Sequence, residues 1–411
     1  MIISGKFFYE GKVVECSVIV ENDIIADIRK YVRDDKVVEF SRGLILPAGI
    51  DVHVHFRDFK ESYKETIESG SLSALYGGIC LVVDQPNTNP PVIDPEIYLK
   101  RIKKAERESF IDYSLNLGLT EDNSGRICKI IEEIEKFVRI PAIGEVFLQH
   151  RTMQVGFGTL KSVSNRVDKL ITVHAEDPEL IEREDVRPKE AEIKAVQKCI
   201  DIGHFYFCHV STPEALNMIY KSNCFAEVTP HHLLLSEGSI RFERVNPPLR
   251  TDRDRTELLR NLSKADIIAS DHAPHTIEDK KEGAPGFPGV ETMYPLMLNL
   301  VKKGIIDLKT VVERIVLNPA KIFGFERYSG IKVGNYANFV IFNLSDVRKI
   351  RAEDLHSKAG WTPYEGFEAI FPKTVIIRGV KALDDGEVLI DGGFGNVIMK
   401  DQTDDDQREG R

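Results

Sequence analysis

The sequence predicts an α/β protein: a (β/α)8 TIM barrel with a small β-sandwich domain that both chain ends build together. Eight apolar, strand-like runs alternate with helix-length amphipathic stretches over about 280 residues, which is the size of such a barrel. Short strands separated by turn residues occupy both ends of the chain. Residues of metal-binding type follow the predicted barrel strands, where the active sites of these barrels lie.

The chain divides into three predicted parts and a tail. Residues 1–46 read as short strands and are too few to hold a core alone. Residues 331–400 have the same character, so we expect the two segments to pair in one small β domain. Residues 47–330 form the predicted (β/α)8 barrel. The polar tail, residues 401–411, is predicted to be disordered.

The barrel strands are predicted from short apolar runs, whose lengths are close to the four to eight residues of a typical buried strand. The first strand leads to His53, and we take the run Gly43–Leu46 as its support. The other seven runs are Ile79–Val83, Tyr113–Leu117, Ala142–Gly144, Leu170–Val173, Phe205–Cys208, Ala226–Thr229 and Ile267–Ala269.

Composition narrows the class of protein. The chain has 411 residues, 42% of them hydrophobic, and a net charge of -10 without any basic block, which argues against nucleic-acid and membrane partners. No signal peptide and no apolar run of about 20 residues is visible. Six cysteines without C-x-x-C spacing suit reduced thiols, so we expect a cytoplasmic protein.

Five side chains at predicted strand ends form a set. His53 and His55 are two residues apart, so a strand directs both imidazoles to one face. His174, His209 and Asp271 each follow a further strand. Any one of them alone would be read as a polar group satisfied by a neighbour, but together they are typical of a binuclear metal site.

Two adjacent cations repel each other, so an anionic bridge between them is expected. Glu145, the only acidic residue between Glu135 and Asp168, is our candidate; the alternative is a carboxylate in an ion pair at the rim. His231 and His232 are either secondary ligands, second-layer groups or structural residues. Cys208 is expected to face away from the site, because it precedes His209 in a predicted strand.

The motifs that contain these residues resemble those of the dihydroorotases, a family of the amidohydrolase superfamily, over almost the whole chain. They are Asp51–Asp58, Gln85–Pro91, Val173–Glu176, Cys208–Thr212, Asn246–Arg250, Ser270–His275 and Gly289–Thr292.

The resemblance implies two zinc ions (Zn2+), one held by His53, His55 and Asp271 and the other by His174 and His209. The implied substrate-binding residues are His55, Arg57, Asn87, Asn246, His275, Pro285 and Gly286. Among them, Arg57, Asn87 and His275 would hold the substrate's carboxylate, since a guanidinium can grip a carboxylate with two hydrogen bonds.

The implied reaction is the reversible cyclisation of N-carbamoyl-L-aspartate to L-dihydroorotate plus water, in de novo pyrimidine biosynthesis. A zinc-bound hydroxide would attack the ring amide in the hydrolytic direction, with Asp271 as general acid and base. The sequence leaves open whether the chain forms a homo-oligomer or associates with aspartate transcarbamoylase.

Three departures from the family pattern stand out: Asp58-Phe59-Lys60 replaces Asp-Pro-Gly, Gln85 replaces methionine, and Glu145 stands where many relatives have a carboxylated lysine. Glutamate ends roughly 4 Å short of a lysine carbamate. Either the strand or the metals shift, or water fills the gap, or only one metal binds tightly.

Two rival functions and one segment stay open at this level. Another cyclic-amide hydrolase, such as a hydantoinase, dihydropyrimidinase or allantoinase, would share the metal site, although Arg57 argues against it. A non-catalytic scaffold would require a failed metal site. The segment Lys280–Gly289, rich in glycine and proline, is either a mobile loop over the site or a plain surface loop.

Overall fold

The computed structural model describes residues 1–34, 37–181 and 186–400, and the predicted disordered tail, residues 401–411, lies outside these ranges. No helix within them is long and apolar enough to cross a membrane.

The strands, in chain order, are β1 (Ile2–Tyr9), β2 (Lys12–Glu21), β3 (Ile24–Arg29), β4 (Val37–Pro47), β5 (Gly49–Val54), β6 (Ile79–Asp84), β7 (Asp112–Leu115), β8 (Ala142–Phe147), β9 (Leu170–His174), β10 (Tyr206–Phe207), β11 (Phe225–Val228), β12 (Ile267–Ile268), β13 (Phe339–Phe342), β14 (Arg348–Lys349), β15 (Glu368–Ala369), β16 (Pro372–Ile377), β17 (Val380–Asp384) and β18 (Glu387–Val388).

The α-helices are α1 (Ile67–Tyr76), α2 (Pro95–Glu108), α3 (Glu121–Ser124), α4 (Ile127–Ile134), α5 (Phe157–Ser164), α6 (Lys189–Ile202), α7 (Pro213–Tyr220), α8 (Pro230–Leu234), α9 (Asp252–Arg260), α10 (Ile277–Lys281), α11 (Met293–Lys302), α12 (Leu308–Val312) and α13 (Asn318–Ile322). A π-helical turn, Glu313–Leu317, joins the last two.

Strands β5 to β12 form the barrel, and all their pairings are parallel. A bridge between Leu117 and Ile143 joins β7 to β8, and a bridge between Val54 and His272 closes the ring. Every residue of β5 and β6 is buried, because helices cover one face of the barrel wall and the barrel interior covers the other. The predicted α/β fold class is confirmed.

The terminal strands form one eight-stranded sheet in the order β18-β17-β16-β13-β4-β1-β2-β3. Alternate residues of β4 face opposite sides: Ile45 packs with Phe7 and Phe339 inside the terminal domain, whereas Leu44 and Leu46 pack against the barrel. The run Gly43–Leu46 lies in this sheet, in agreement with the predicted bounds 1–46, and its use as support for the first barrel strand was wrong, because that strand is Gly49–Val54.

Candidate active site

A cavity of about 750 Å³ opens at the carboxyl ends of the barrel strands. Eleven of the twelve predicted site residues line it, and His53 lies buried beside them. The eleven are His55, Arg57, Asn87, Glu145, His174, His209, Asn246, Asp271, His275, Pro285 and Gly286. The structure thus brings together side chains that are more than two hundred residues apart in the sequence.

One half of the donor cluster consists of His53, His55 and Asp271, whose ligand-type atoms lie within 4.8 Å of one another. Asp271 Oδ1 is 3.1 Å from His55 Nε2 and 3.5 Å from His53 Nε2. The other ring nitrogen of each histidine is occupied, since His53 Nδ1 lies 2.9 Å from a Glu227 oxygen and His55 Nδ1 lies 2.7 Å from Asn87 Oδ1. Both rings are therefore held with Nε2 towards Asp271.

The other half consists of Glu145, His174 and His209, which meet the same distance criterion. Glu145 Oε1 is 2.7 Å from His209 Nε2 and 3.1 Å from His174 Nδ1. Its second oxygen, Oε2, faces the first half, 3.5 Å from His53 Nε2 and 3.9 Å from His55 Nε2. The two oxygens of one carboxylate thus face the two halves of the cluster.

The position of Glu145 depends on an irregularity in β8. The pairing of β8 with β9 changes register between Ile143 and Val146. Between them, Gly144 has φ +135°, and a Cβ on it would lie 2.1 Å from Thr172 Oγ1 and 2.5 Å from the Thr172 carbonyl oxygen. Only glycine fits so close to the neighbouring strand, and the local bulge it permits aims Glu145 into the cluster.

His209 and Asp271 also depend on unusual backbone. Each lies just beyond a two-residue strand, and their φ angles are +35° and +46°. Non-glycine residues adopt this left-handed conformation at a cost of about 1–3 kcal/mol, and such strain is concentrated at functional sites. Here it turns both side chains inward at the rim of the barrel.

The pKa shifts in the cluster show that its buried carboxylates are stabilised by positive charge close to them. Burial alone would raise the pKa of Glu145, but His53, His174 and His209 lower it well below its ordinary value. Burial would lower the pKa of His174, yet Glu145 and Glu176 raise it to about 9. Burial would also raise the pKa of Asp271, whereas the neighbouring imidazoles hold it below its usual range.

The donor set fits divalent metal ions. His53 Nε2 is buried, has no hydrogen-bond partner among the described residues, and faces carboxylate oxygens of Glu145 and Asp271 at 3.5 Å each. Imidazole and carboxylate are the ligand types that zinc accepts. Without a metal, protonated imidazoles would supply the positive charge beside these carboxylates. A bound cation would supply that charge instead.

Arg57 and His275 lie side by side on the wall of the same cavity. Arg57 donates through Nε to the Pro274 carbonyl oxygen at 3.3 Å, and its Nη2 lies 3.1 Å from His275 Nε2. Its carbonyl oxygen accepts a hydrogen bond from Arg101 Nη1 at 2.9 Å, and Arg101 is itself paired with the buried Asp84. A buried ion pair therefore fixes the backbone from which Arg57 projects.

Asn246, Pro285 and Gly286 lie on two loops of the cavity wall. His232 Nε2 donates to the Pro247 carbonyl oxygen at 3.1 Å, which supports the first loop from beneath. His231 is buried beside Phe287, and neither of its ring nitrogens has a hydrogen-bond partner in the part of the chain that the structure describes. His232 therefore holds a loop, while His231 lies outside the two main donor groups.

Two residues near the cluster escaped the sequence argument. Glu227, in β11, is buried and accepts from Tyr206 Oη at 2.7 Å and from the His209 amide at 2.9 Å, in addition to its contact with His53. A lone acidic residue in an apolar strand was the signal for it.

Cys208 was expected to face away, but its sulfur lies within 4.8 Å of ligand atoms of His53 and Glu145. Strand alternation does not reach it, since β10 ends at Phe207.

Comparison with known proteins agrees with this geometry. The model of the amidohydrolase family matches residues 44–389. A dihydroorotase from Archaeoglobus fulgidus is 52% identical over 97% of this chain and 100% of its own length. One from Pyrococcus furiosus is 38% identical over 95% of this chain and 94% of its own. The chain belongs to the amidohydrolase family, within its dihydroorotase group.

Solved structures support the fold of this amidohydrolase. The L-hydantoinase of Arthrobacter aurescens superposes with a TM-score of 0.90 at 24% identity, covering 97% of this chain and 99% of that one. A D-hydantoinase from Thermus sp. gives 0.85 at 22% identity, covering 97% and 98%. At such identities the likeness concerns the fold alone.

Proposed function

We propose that this amidohydrolase is a dihydroorotase, which interconverts N-carbamoyl-L-aspartate and L-dihydroorotate plus water in de novo pyrimidine biosynthesis. The observation that carries the proposal is the presence of Arg57 in the same cavity as the His, Glu and Asp donors. Dihydroorotate has both a ring amide to be cleaved and a carboxylate to be held. The buried guanidinium of Arg57 beside the cluster can hold that carboxylate. The similarity of the chain to dihydroorotases also supports the proposal.

Arg57, Asn87 and His275 are the groups we assign to the substrate carboxylate. Arg57 is 7% exposed, so its charge is little screened by solvent within the cavity. Burial, together with the charge of neighbouring Arg57, holds the pKa of His275 below its ordinary value. His275 is therefore neutral at physiological pH and offers a hydrogen bond without adding a second charge.

Asp271 is the group we assign to proton transfer. Its pKa is held low, so it is a carboxylate at neutral pH and can accept the proton of the attacking water. In the hydrolytic direction it would then deliver that proton to the leaving ring nitrogen. In the biosynthetic direction the same carboxylate accepts the proton of the attacking ureido nitrogen.

We assign zinc as the metal, with two ions per chain and Glu145 between them. His53, His55 and Asp271 would hold one ion, and His174 and His209 the other. When bound, zinc supplies a Lewis acid that polarises the ring carbonyl and makes water reactive near neutral pH. The bulge at Gly144 supports the view that a shift of β8 compensates for the shorter side chain of glutamate.

The first test is the loss of ultraviolet absorbance of dihydroorotate on addition of zinc-loaded protein, with hydantoin and allantoin hydrolysis assayed in parallel. We expect turnover of dihydroorotate and not of the two uncharged rings. Turnover of only the uncharged rings would replace this function by that of the hydantoinases, and no turnover of any ring would favour a scaffold.

Arg57→Met separates substrate choice from metal chemistry. We expect kcat/KM for dihydroorotate to fall about 100-fold or more, because the hydrogen bonds between charged groups are lost. Zinc content, measured by atomic absorption, should stay unchanged. Arg151→Met is the matched control, since Arg151 also lines the cavity but is exposed and lies on a different loop from Arg57.

The cytoplasmic location, a homo-oligomeric state and an association with aspartate transcarbamoylase stay predictions. Six free cysteines fit a reducing compartment. Size-exclusion chromatography with and without aspartate transcarbamoylase tests the other two.

A further inference from the structure

One cationic side chain beside the cavity has no part in the reaction described above. Lys280, in the last turn of α10, is only 5% exposed, and its neighbour Lys281 is exposed. Buried lysine is costly unless its ammonium is satisfied. Burial and the nearby guanidinium of Arg244 lower the pKa of Lys280 to about 7, which agrees with that cost.

The three hydrogen bonds of Lys280 all go to main-chain carbonyl groups. Nζ donates to the carbonyl oxygens of Arg244 at 2.6 Å, Ala284 at 2.8 Å and Gly286 at 3.0 Å. All three acceptor residues line the cavity, and they belong to two different loops. Lys280 therefore connects the loop at residues 244–246 to the loop at residues 284–286.

Aromatic rings complete the surroundings of the ammonium. Nζ lies 5.0 Å from the ring centre of Phe287 and 5.5 Å from that of Trp361. Trp361 Nε1 also donates to the His275 carbonyl oxygen at 2.8 Å. The same small assembly thus contacts both loops and the segment that carries His275.

The two loops also meet directly, at Gly286. Gly286 has φ +129°, and a Cβ there would lie 2.6 Å from the Ala273 carbonyl oxygen. Its amide donates to the Arg244 carbonyl oxygen at 3.1 Å, the same oxygen that accepts from Lys280. One main-chain hydrogen bond therefore joins the two loops directly, and Lys280 adds a side-chain connection to both of them.

We propose that Lys280 is a positioning residue for substrate: its ammonium ties the two loops into one wall and so sets the shape of the pocket that receives the substrate ring. This inference rests on the proposed function for the identity of the ring. It makes the segment Lys280–Gly289 a pinned wall of the cavity.

The first measurement needs no activity. Amide hydrogen exchange followed by mass spectrometry compares Lys280→Met with Lys281→Met, which removes an exposed charge one residue away. We expect faster exchange in peptides covering residues 244–250 and 284–289 in the first variant only. Lys280→Gln, which keeps part of the donor capacity, should lie between the two and provides a second variant if Lys280→Met folds poorly.

The second measurement is steady-state kinetics with dihydroorotate on the zinc-loaded variants. We expect KM to rise about 10-fold in Lys280→Met with kcat within about 2-fold of the parent protein, since binding changes and the reacting groups do not. Lys281→Met should leave both constants unchanged.

The outcomes separate this inference from the proposed function. Unchanged exchange in both peptides, faster exchange throughout the chain, or local loosening with an unchanged KM would each overturn the positioning role. If the parent protein fails to turn over dihydroorotate, the proposed function fails, while the exchange comparison still decides whether Lys280 ties the two loops.

Discussion

The two ends of the barrel both bury charged side chains, but they satisfy them differently. At the amino-terminal end, Asp112 begins β7 and pairs with Arg378 of the terminal domain. It also accepts from Tyr328 Oη and from the Asn396 amide at 2.8 Å each. At the carboxyl-terminal end, His53 Nε2 faces two carboxylates and has no hydrogen-bond partner within residues 1–34, 37–181 and 186–400. The first cluster satisfies its hydrogen bonds within the chain, whereas the second has a donor atom that the proposed metal would occupy.

The difference separates residues that stabilise the fold from residues that are proposed to carry the activity. The Asp112 cluster joins β7, the segment at Tyr328 and the terminal sheet, so it links three parts of the chain with satisfied hydrogen bonds. The donor cluster instead collects two carboxylates and four imidazoles, with His209 and Asp271 in left-handed backbone. Substitutions at the two ends should therefore separate folding from catalysis.

The largest expected effect is on activity, at the carboxyl-terminal end. Asp271→Asn removes both a proposed metal donor and the proposed proton-transfer group, so kcat should fall about 10³-fold or more. Burial acts to raise the pKa of Asp271, but the neighbouring imidazoles hold it below its ordinary value, so the carboxylate also stabilises the metal-free fold and some loss of stability is expected. The free energy of unfolding in urea should nevertheless fall by less than it does in Asp112→Asn, and an equal or larger loss would contradict the contrast between the two ends.

The next effect is on stability, at the amino-terminal end. Asp112→Asn leaves the Arg378 guanidinium buried without its carboxylate, and the free energy of unfolding should fall by about 3–5 kcal/mol. At a temperature where the variant is folded, kcat should match the parent. Asp385→Asn is the control, because its side chain is 79% exposed and lies 3.8 Å from Lys373. It should cost no more than about 1 kcal/mol.

The same contrast explains what the sequence could predict. His53 and His55 were placed together by strand alternation, and His174 by its position as the last residue of β9. The run Gly43–Leu46 was taken to support the first barrel strand because only Ala48 separates β4 from β5, two buried strands that lie in different domains. A local pattern of apolar residues predicts a strand, but it does not show in which sheet that strand lies.

The remaining features depend on geometry that leaves no local pattern. Cys208 lies near His53 because β10 has only two residues, so alternation ends before it. Glu227 lies inside a strand, whereas ligands are expected at strand ends. Lys280 is held by main-chain carbonyl groups, which every residue carries. Its burial could not be inferred from a segment that reads as a loop.

Metal removal should affect only the end that leaves its donors open. Addition of zinc at about 100 times its dissociation constant should stabilise the metal-free parent by about 2.7 kcal/mol. Asp112→Asn should gain the same amount, since its site is unchanged, whereas Glu145→Gln should gain less. Thermal unfolding followed by circular dichroism, with and without zinc, measures all three. An equal gain in Glu145→Gln would exclude Glu145 as a ligand.

The smallest expected effect tests whether support of the donor cluster extends into the barrel wall. Glu227→Gln keeps the shape of the side chain but removes the charge that fixes His53 through Nδ1. Zinc affinity should fall about 10–100-fold, which corresponds to about 1.4–2.7 kcal/mol.

Tyr206→Phe is the matched control for Glu227, because it removes one hydrogen bond to the same carboxylate and leaves His53 in place. Its zinc affinity should change less than that of Glu227→Gln in competition with a chromophoric chelator. If both variants bound zinc as tightly as the parent, the orientation of His53 would not depend on Glu227, and the donors at the rim would be sufficient by themselves. The two ends would then differ only in the proposed metal-binding side chains themselves, because the barrel wall beneath those side chains would stabilise the fold without contributing to zinc affinity.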